Sequence, residues 1–348
     1  MTDRTPYLQD IASQPEALRA LAGHARTVAA AVGRLRSETP RRIVLTGMGA
    51  SHHATYPAYL RLAAAGQAVW HVETSELVHH LDALVEDGTL LVCTSQSGRS
   101  AEIVALLERL ETTGRRPRLA AIVNDGDSPL ANHADVAIDL HAGVEHAVGT
   151  RTFSNTVVAA NWLAAGLTGA PVEPDAVVAQ ADALEAWLAD LDAHLDAVRS
   201  AMPGELPRSA VLVGRGPSLA VARGGALVVK EAAKVHAEGM SGGQFRHGPI
   251  ELAEPSLLAI VLDGPPETAD LARRLAHDLA AAGATTRWLG VSPGPADVEA
   301  LPIAPSVAGP AELLPGTVTL QLVAQALGEA RGVVPGEFRH ASKVTSVL

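Results

Sequence analysis

The sequence predicts an α/β protein: two parallel sheets in tandem, each flanked by helices, with an N-terminal helical lead-in and a C-terminal tail. Three observations predict it. Short apolar runs alternate with helix-like segments from residue 42 onward, the signature of parallel strands joined by crossover helices. The pattern then restarts. Ser209-Ala210-Val211-Leu212-Val213-Gly214-Arg215-Gly216-Pro217-Ser218 repeats the layout of Ile43 to Ser51, an apolar strand followed by Gly-x-Gly and Ser, at an offset of roughly 165–170 residues. Finally, 348 residues suffice for two or three domains with full cores, at roughly 100–200 residues per domain.

In chain order, Leu8, Ile11, Leu18, Leu21 and Val28 recur at helical spacing and predict one amphipathic helix over 8–35. Strand 41–47 runs into a glycine turn. Helix 52–65, strand 69–72 and helix 75–85 follow. Strand 89–94 ends in Ser-Gln-Ser-Gly and leads to helix 100–113, strand 118–123, a loop at 124–129 and strand 136–140. Residues 150–200 read as helix, and the uncharged stretch 152–172 as a buried helix plus turn rather than a membrane span. Pro203-Gly204 and Pro207 mark a linker. Strands 209–214, 257–262 and 287–291 echo the first half, before helix 311–330 and the tail. The expected domains are a lead-in (1–36), a first domain that binds the ligand (37–170), a helical linker (171–206), a second domain (207–333) and a tail that closes the site (334–348).

Charge and composition exclude several functions. The 27 basic and 38 acidic side chains give a net charge of −11, against a nucleic-acid or anionic-membrane surface. Aromatics are only 3% of residues, so platforms for stacking bases are scarce. One cysteine, Cys93, cannot form an internal disulfide or a cysteine metal cluster, and no His-Glu-x-x-His spacing occurs. The first residues, MTDRTPYLQD, hold no apolar signal core. The expected location is the cytoplasm, with no metal and no organic cofactor.

Two features point to chemistry. In Thr94-Ser95-Gln96-Ser97-Gly98-Arg99-Ser100, hydroxyls and backbone N–H groups converge at a helix start, which suits an anion such as a phosphate. Gly49-Ala50-Ser51 ends the neighbouring strand and adds a hydroxyl. Ordinary helix capping would use the same residues. A dinucleotide site is disfavoured, because His52 stands where the third fingerprint glycine belongs. The second half carries Asp263-Gly264-Pro265-Pro266 instead of the serine turn, so it lacks the anion chemistry. The second feature is the segment 224–249, read as a helix ending in a glycine-rich loop. Glu231, Glu238, His236 and His247 are its acid/base candidates. The bland alternative makes Glu231 an exposed carboxylate paired with Lys230 or Lys234, and His236 a packed interior residue. The pairs His52-His53 and His79-His80 read as packing or surface residues.

At these residues the chain resembles the sugar isomerase (SIS) domain family, and within it the isomerase half of the glucosamine-6-phosphate synthases. The matching motifs are Gly-x-Gly-x-Ser, Ser-Gln-Ser-Gly-x-Ser, Gly-Thr-Arg-x-Phe at 149–153, Gly-Arg-Gly at 214–216, Lys-Glu at 230–231, His-Ala-Glu at 236–238, His-Gly-Pro at 247–249 and Ala-Ser-Lys-Val-Thr at 341–345. The resemblance implies two flavodoxin-like SIS subdomains and a homodimer with shared active sites. It implies that Gly49, Ser51, Ser95, Gln96, Ser97, Ser100 and Thr150 contact a phosphorylated sugar or aminosugar. It makes Glu231 the base that moves a proton between C1 and C2. His247 becomes the ring-opening residue reaching the neighbouring subunit, and Lys343 the lysine that closes over the sugar and can form a Schiff base.

Three departures accompany the resemblance. The chain carries no counterpart of the synthases' glutaminase domain, whose nucleophile is an N-terminal cysteine. Val228 stands where the synthases have a lysine, and Lys234, on the same predicted helix face as Glu231, is the available substitute. Arg99 replaces the usual glutamate after Ser-Gln-Ser-Gly, which hints at an added anionic contact or a solvated side chain. The leading expectation is an aminosugar-phosphate isomerase/deaminase. A deglycase of phosphorylated Amadori adducts is the first alternative: Val228 would leave room, and Arg99 would meet a carboxylate. A non-catalytic sugar-phosphate-binding module is the second.

Overall fold

A computed structural model describes residues 4–37, 39–345 and 347. The chain divides into two compact units, each described by itself. One comprises residues 16–145, 151–178 and 339–348; the other comprises 1–15, 146–150 and 179–338.

The first-sheet unit holds β1 (Arg42–Gly47), β2 (Val69–Glu73), β3 (Thr89–Ser95), β4 (Arg118–Val123) and β5 (Val136–Asp139). All pair in parallel, in the order β2-β1-β3-β4-β5. Central β3 is buried at every position, as expected of a strand covered on both faces. Val44, Leu91, Ala121 and Val123 pack against Leu77, Ile103, Leu106 and Leu107 on one face. The uncharged stretch becomes a buried helix, Arg151–Leu167, and Gly166 lets Val32 of helix Ala25–Leu35 approach closely.

The second-sheet unit holds β6 (Ser209–Gly214), β7 (Ala237–Ser241), β8 (Leu257–Leu262), β9 (Thr285–Leu289) and β10 (Glu299–Ala300). The sheet runs β10-β9-β8-β6-β7 and is also fully parallel. Counted from its own first strand, that order is 2-1-3-4-5, the same flavodoxin-like winding as the first sheet. The duplication is therefore structural. Both leading strands end in Gly-x-Gly, and the second glycine is left-handed in each: Gly49 has φ 51° and Gly216 has φ 54°.

Three expectations need correction. The helix read over 8–35 is three helices, Pro6–Ala12, Gln14–Gly23 and Ala25–Leu35. Ser13 turns its hydroxyl back to the Asp10 carbonyl, Pro15 favours a fresh helix start, and His24 follows Gly23. Helix 75–85 stops at His79, followed by one 3₁₀ turn, Asp82–Leu84. Within the segment read as helix-then-loop, residues 237–241 form strand β7 at the level of β6. Ala-Glu-Gly-Met-Ser lacks β-branched residues, but Gly239 allows the strand to lie against Ala222 and Arg223 of helix Ser218–Val228.

Candidate active site

The turn at 96–100 joins β3 to helix Ala101–Thr113 in the first-sheet unit. Its geometry is fixed from within. Ser95 Oγ accepts the Gly98 N–H at 3.1 Å, and Ser97 Oγ accepts the Arg99 N–H at 3.2 Å. Gly98 is left-handed (φ 60°), and a Cβ there would meet Ser128 Oγ at 2.2 Å, so a side chain is excluded. Gly47 likewise lets β1 approach the Thr94 carbonyl, which sets the turn after β1 beside the turn after β3. This is the point where a doubly wound sheet reverses direction, and where such sheets bind ligands.

Several polar groups at this point are unspent. Ser100 occupies the N-cap of Ala101–Thr113, yet its side chain makes no capping bond. Ser51 and the Gln96 amide make no side-chain hydrogen bond among the described residues. Thr94 Oγ1 is buried without a partner. Capping alone does not account for a capping residue that does not cap; hydroxyls left open at a helix start are suited to an anion.

The tail belongs to the same unit. Ala101 N–H, at the start of that helix, donates to the Thr345 carbonyl at 3.0 Å. Two residues earlier, Lys343 Nζ lies 2.8 Å from Glu145 Oε2. The Glu145 side chain is fully buried and also accepts from the Thr152 N–H (3.2 Å) and hydroxyl (2.8 Å). A buried carboxylate with this donor set fixes where the lysine sits. Sequence reasoning missed Glu145 and Thr152 as functional residues. The available signal was that Glu145 is the single acid between Asp139 and Glu173, close to the 149–153 motif.

Arg99 does not extend the anion site. Its guanidinium binds Asp125 Oδ2 (3.1 and 2.9 Å) and the Asp127 carbonyl (3.1 Å), bracing the loop at 124–129. That hydrogen bond holds the Asp125 carboxyl below the usual range. His52 is a packing residue stacked on His71 at 3.8 Å, whereas His79 and His80 are exposed. Burial pushes the Cys93 thiol far up, which makes it no nucleophile.

In the second-sheet unit, helix Ser218–Val228 runs back from the carboxyl-terminal end of β6 and widens into a π-helical turn, Val229–Ala233, that carries Glu231. Such turns recur at functional sites. The chain leaves it at Lys234, a non-glycine residue at φ 57°. Lys234 thus caps the turn rather than continuing the helix. Its Nζ donates to the carbonyls of Glu231 and, at 2.6 Å, Glu337. Val228 is buried in the helix packing and opens no room.

His247 follows helix Gly242–Arg246, beyond the end of β7, and is exposed. Glu231 precedes the start of β7. The five residues of β7, roughly 17 Å at about 3.3 Å each, lie between them in the chain. His236 is exposed rather than packed, and it lines a cavity with Glu238 at the starting ends of the strands. Thr150 is fully buried, so its expected sugar contact is not available. Among the described residues no three His, Cys, Asp or Glu side chains are placed to hold a metal ion, and no helix is long and apolar enough to cross a membrane.

Comparison with known proteins adds the following. The model of the SIS domain matches residues 38–165 and 207–291. The glutamine–fructose-6-phosphate aminotransferase of Pyrococcus horikoshii is 32% identical over 98% of this chain, and that of Mycolicibacterium smegmatis 30% identical over 98%. The chain spans 57% of the length of each of these relatives. Among solved structures, the C-terminal domain of glucosamine-fructose-6-phosphate aminotransferase from Francisella tularensis superposes with a TM-score of 0.80 at 21% identity, covering 97% of this chain and 99% of that one. Glucosamine-6-phosphate deaminase from Thermotoga maritima gives 0.77 at 20% identity, covering 99% and 100%.

Proposed function

Because the chain belongs to the SIS domain family, we propose that it is an aminosugar-phosphate isomerase/deaminase, interconverting a 2-amino-2-deoxy-aldose 6-phosphate with a ketose 6-phosphate and ammonia. The observation that carries this reading is the docking of the tail. It brings Lys343, held by buried Glu145, onto the same unit as the unspent hydroxyls of the serine turn. A bare anion site needs no lysine positioned in this way.

The phosphate sits on Ser95, Gln96, Ser97, Ser100 and Ser51, at the start of helix Ala101–Thr113. His247, from the partner subunit of a homodimer, opens the sugar ring. Glu231 takes the C2 proton of the open aldehyde and returns it to C1, leaving an imine at C2 that water hydrolyses to the ketone and ammonia. Lys343 donates toward the carbonyl oxygen and orders the closed site. Positioning and acid/base catalysis supply the rate, with the acid/base part worth about 10²–10⁴.

The deglycase alternative loses its two supports. Arg99 already has a carboxylate, Asp125, and Val228 is packed. The test is direct: glucosamine 6-phosphate added to the purified protein should yield fructose 6-phosphate and ammonia in equal amounts. Tight phosphosugar binding with neither product would reject the reaction and leave the binding-module reading.

A further inference from the structure

Lys234 ends the turn that carries Glu231, and its backbone is left-handed at φ 57°. Glycine takes this conformation without strain, so a lysine here carries a cost that a plain helix end does not require. Part of its role is ordinary. An ammonium beside the last carbonyls of a helix complements the dipole, and Lys234 Nζ donates to the Glu231 carbonyl. The second bond is not capping. The same Nζ donates at 2.6 Å to the carbonyl of Glu337, 103 residues further along the chain.

The Glu337 end of this bond is itself a fixed place. Residues 333–338 close the second-sheet unit; the rest of the tail, with Lys343, belongs to the first-sheet unit. Val333 N–H donates to the Gly328 carbonyl at 3.0 Å, and Glu337 N–H to the Val334 carbonyl at 3.3 Å. A Cβ at Gly328, in helix Leu314–Ala330, would meet Pro335 at 3.0 Å and the Ala232 carbonyl of the π turn at 3.4 Å. Gly336 is left-handed at φ 83°, and a Cβ there would meet Ala147 at 2.9 Å and Tyr7 at 3.0 Å. The π turn, helix Leu314–Ala330 and residues 333–338 thus pack together, and the ammonium is a polar bond from the turn to the segment. We propose that Lys234 is a positioning residue: its side chain ties the turn bearing Glu231 to the root of the tail, so that the base and the point from which the lysine-bearing segment departs are set together. The effect on turnover rests on the proposed reaction; the tie itself does not. A small misplacement of a reacting group is costly, which is why such a tie matters.

Three variants test it. Lys234→Asn and Lys234→Gly accept the left-handed backbone but supply no ammonium, and Lys234→Arg keeps a cation of similar reach. Hydrogen exchange at residues 333–338 of the protein without ligand is the first readout. Both short variants should exchange there about tenfold faster or more, as expected for loss of a charge-assisted hydrogen bond. With glucosamine 6-phosphate, their kcat should fall about tenfold or more, while affinity read by thermal shift changes less than about threefold. The arginine variant should recover most of both. Unchanged exchange in the two short variants, full turnover by the glycine variant, or an arginine variant as impaired as the asparagine one would overturn the inference and leave Lys234 a helix cap. If the unaltered protein does not turn over glucosamine 6-phosphate, the proposed reaction fails, and the exchange comparison still decides the tie.

Discussion

The two sheets share one winding and one Gly-x-Gly turn, yet they expose different chemistry at the same topological point. In the first, the serines after β1 and β3 keep polar groups open, and the helix that follows is left uncapped by its own N-cap serine. In the second, Ser218 closes on Arg215, and the turn after β8 presents an aspartate and two prolines. The lesson is physical: the winding creates a crevice, and the residues at its rim decide which charge enters.

The largest expected effect separates chemistry from binding. Glu231→Gln alters the unit without the serine turn. It should lower turnover by about 10²–10⁴ while phosphosugar affinity, read by thermal shift, stays within a factor of about three. Loss of affinity instead would place Glu231 among the binding groups. Next, if each hydroxyl faces a charged phosphate as proposed, Ser95→Ala with Ser100→Ala should cost about a hundredfold in affinity. The matched change Ser218→Ala should leave affinity unaltered; a comparable loss there would break the contrast between the sheets.

Smaller effects test the turns themselves. Gly98→Ala forces a Cβ into Ser128 at a left-handed position and should lower stability in urea by about 1–3 kcal/mol. Gly216→Ala, whose nearest neighbour is a Pro265 side-chain atom at 3.2 Å, should cost about 1 kcal/mol or less. Equal losses would mean that the two turns are equally constrained. The smallest effect concerns Arg99. Its hydrogen bond depresses the Asp125 carboxyl, so its stabilisation is present above the unfolded value near 3.8 and disappears as pH falls through the lower folded value. Arg99→Ala should therefore shift the urea midpoint more at pH 7 than in strong acid, with the non-titrating bond to the Asp127 carbonyl leaving a small remainder; a shift of equal size at both would mean that Arg99 does not stabilise the Asp125 carboxylate.

Much of this was legible because buried parallel strands are written as continuous apolar runs. β1, β3, β4, β6 and β8 needed nothing more than Ile, Val and Leu between glycine turns. β7 was not legible: its Gly239 serves the close approach of a helix, a tertiary fact. The π turn at Glu231 was hidden for a related reason. Helical periodicity put Lys234 on the same face as Glu231, but the helix ends in the widened turn, and Lys234 is its left-handed cap. The serine turn was readable because loop chemistry is local, whereas Glu145 acquires its meaning from Lys343, nearly two hundred residues away.

The central claim is that a phosphosugar is held by the turn after β3. Hydrogen-exchange mass spectrometry with and without glucosamine 6-phosphate addresses it directly. Peptides covering 95–104 and the tail around Lys343 should gain protection, while peptides covering 262–268 should not change. Protection confined to the second sheet, or none at 95–104 under saturating sugar phosphate, would contradict it.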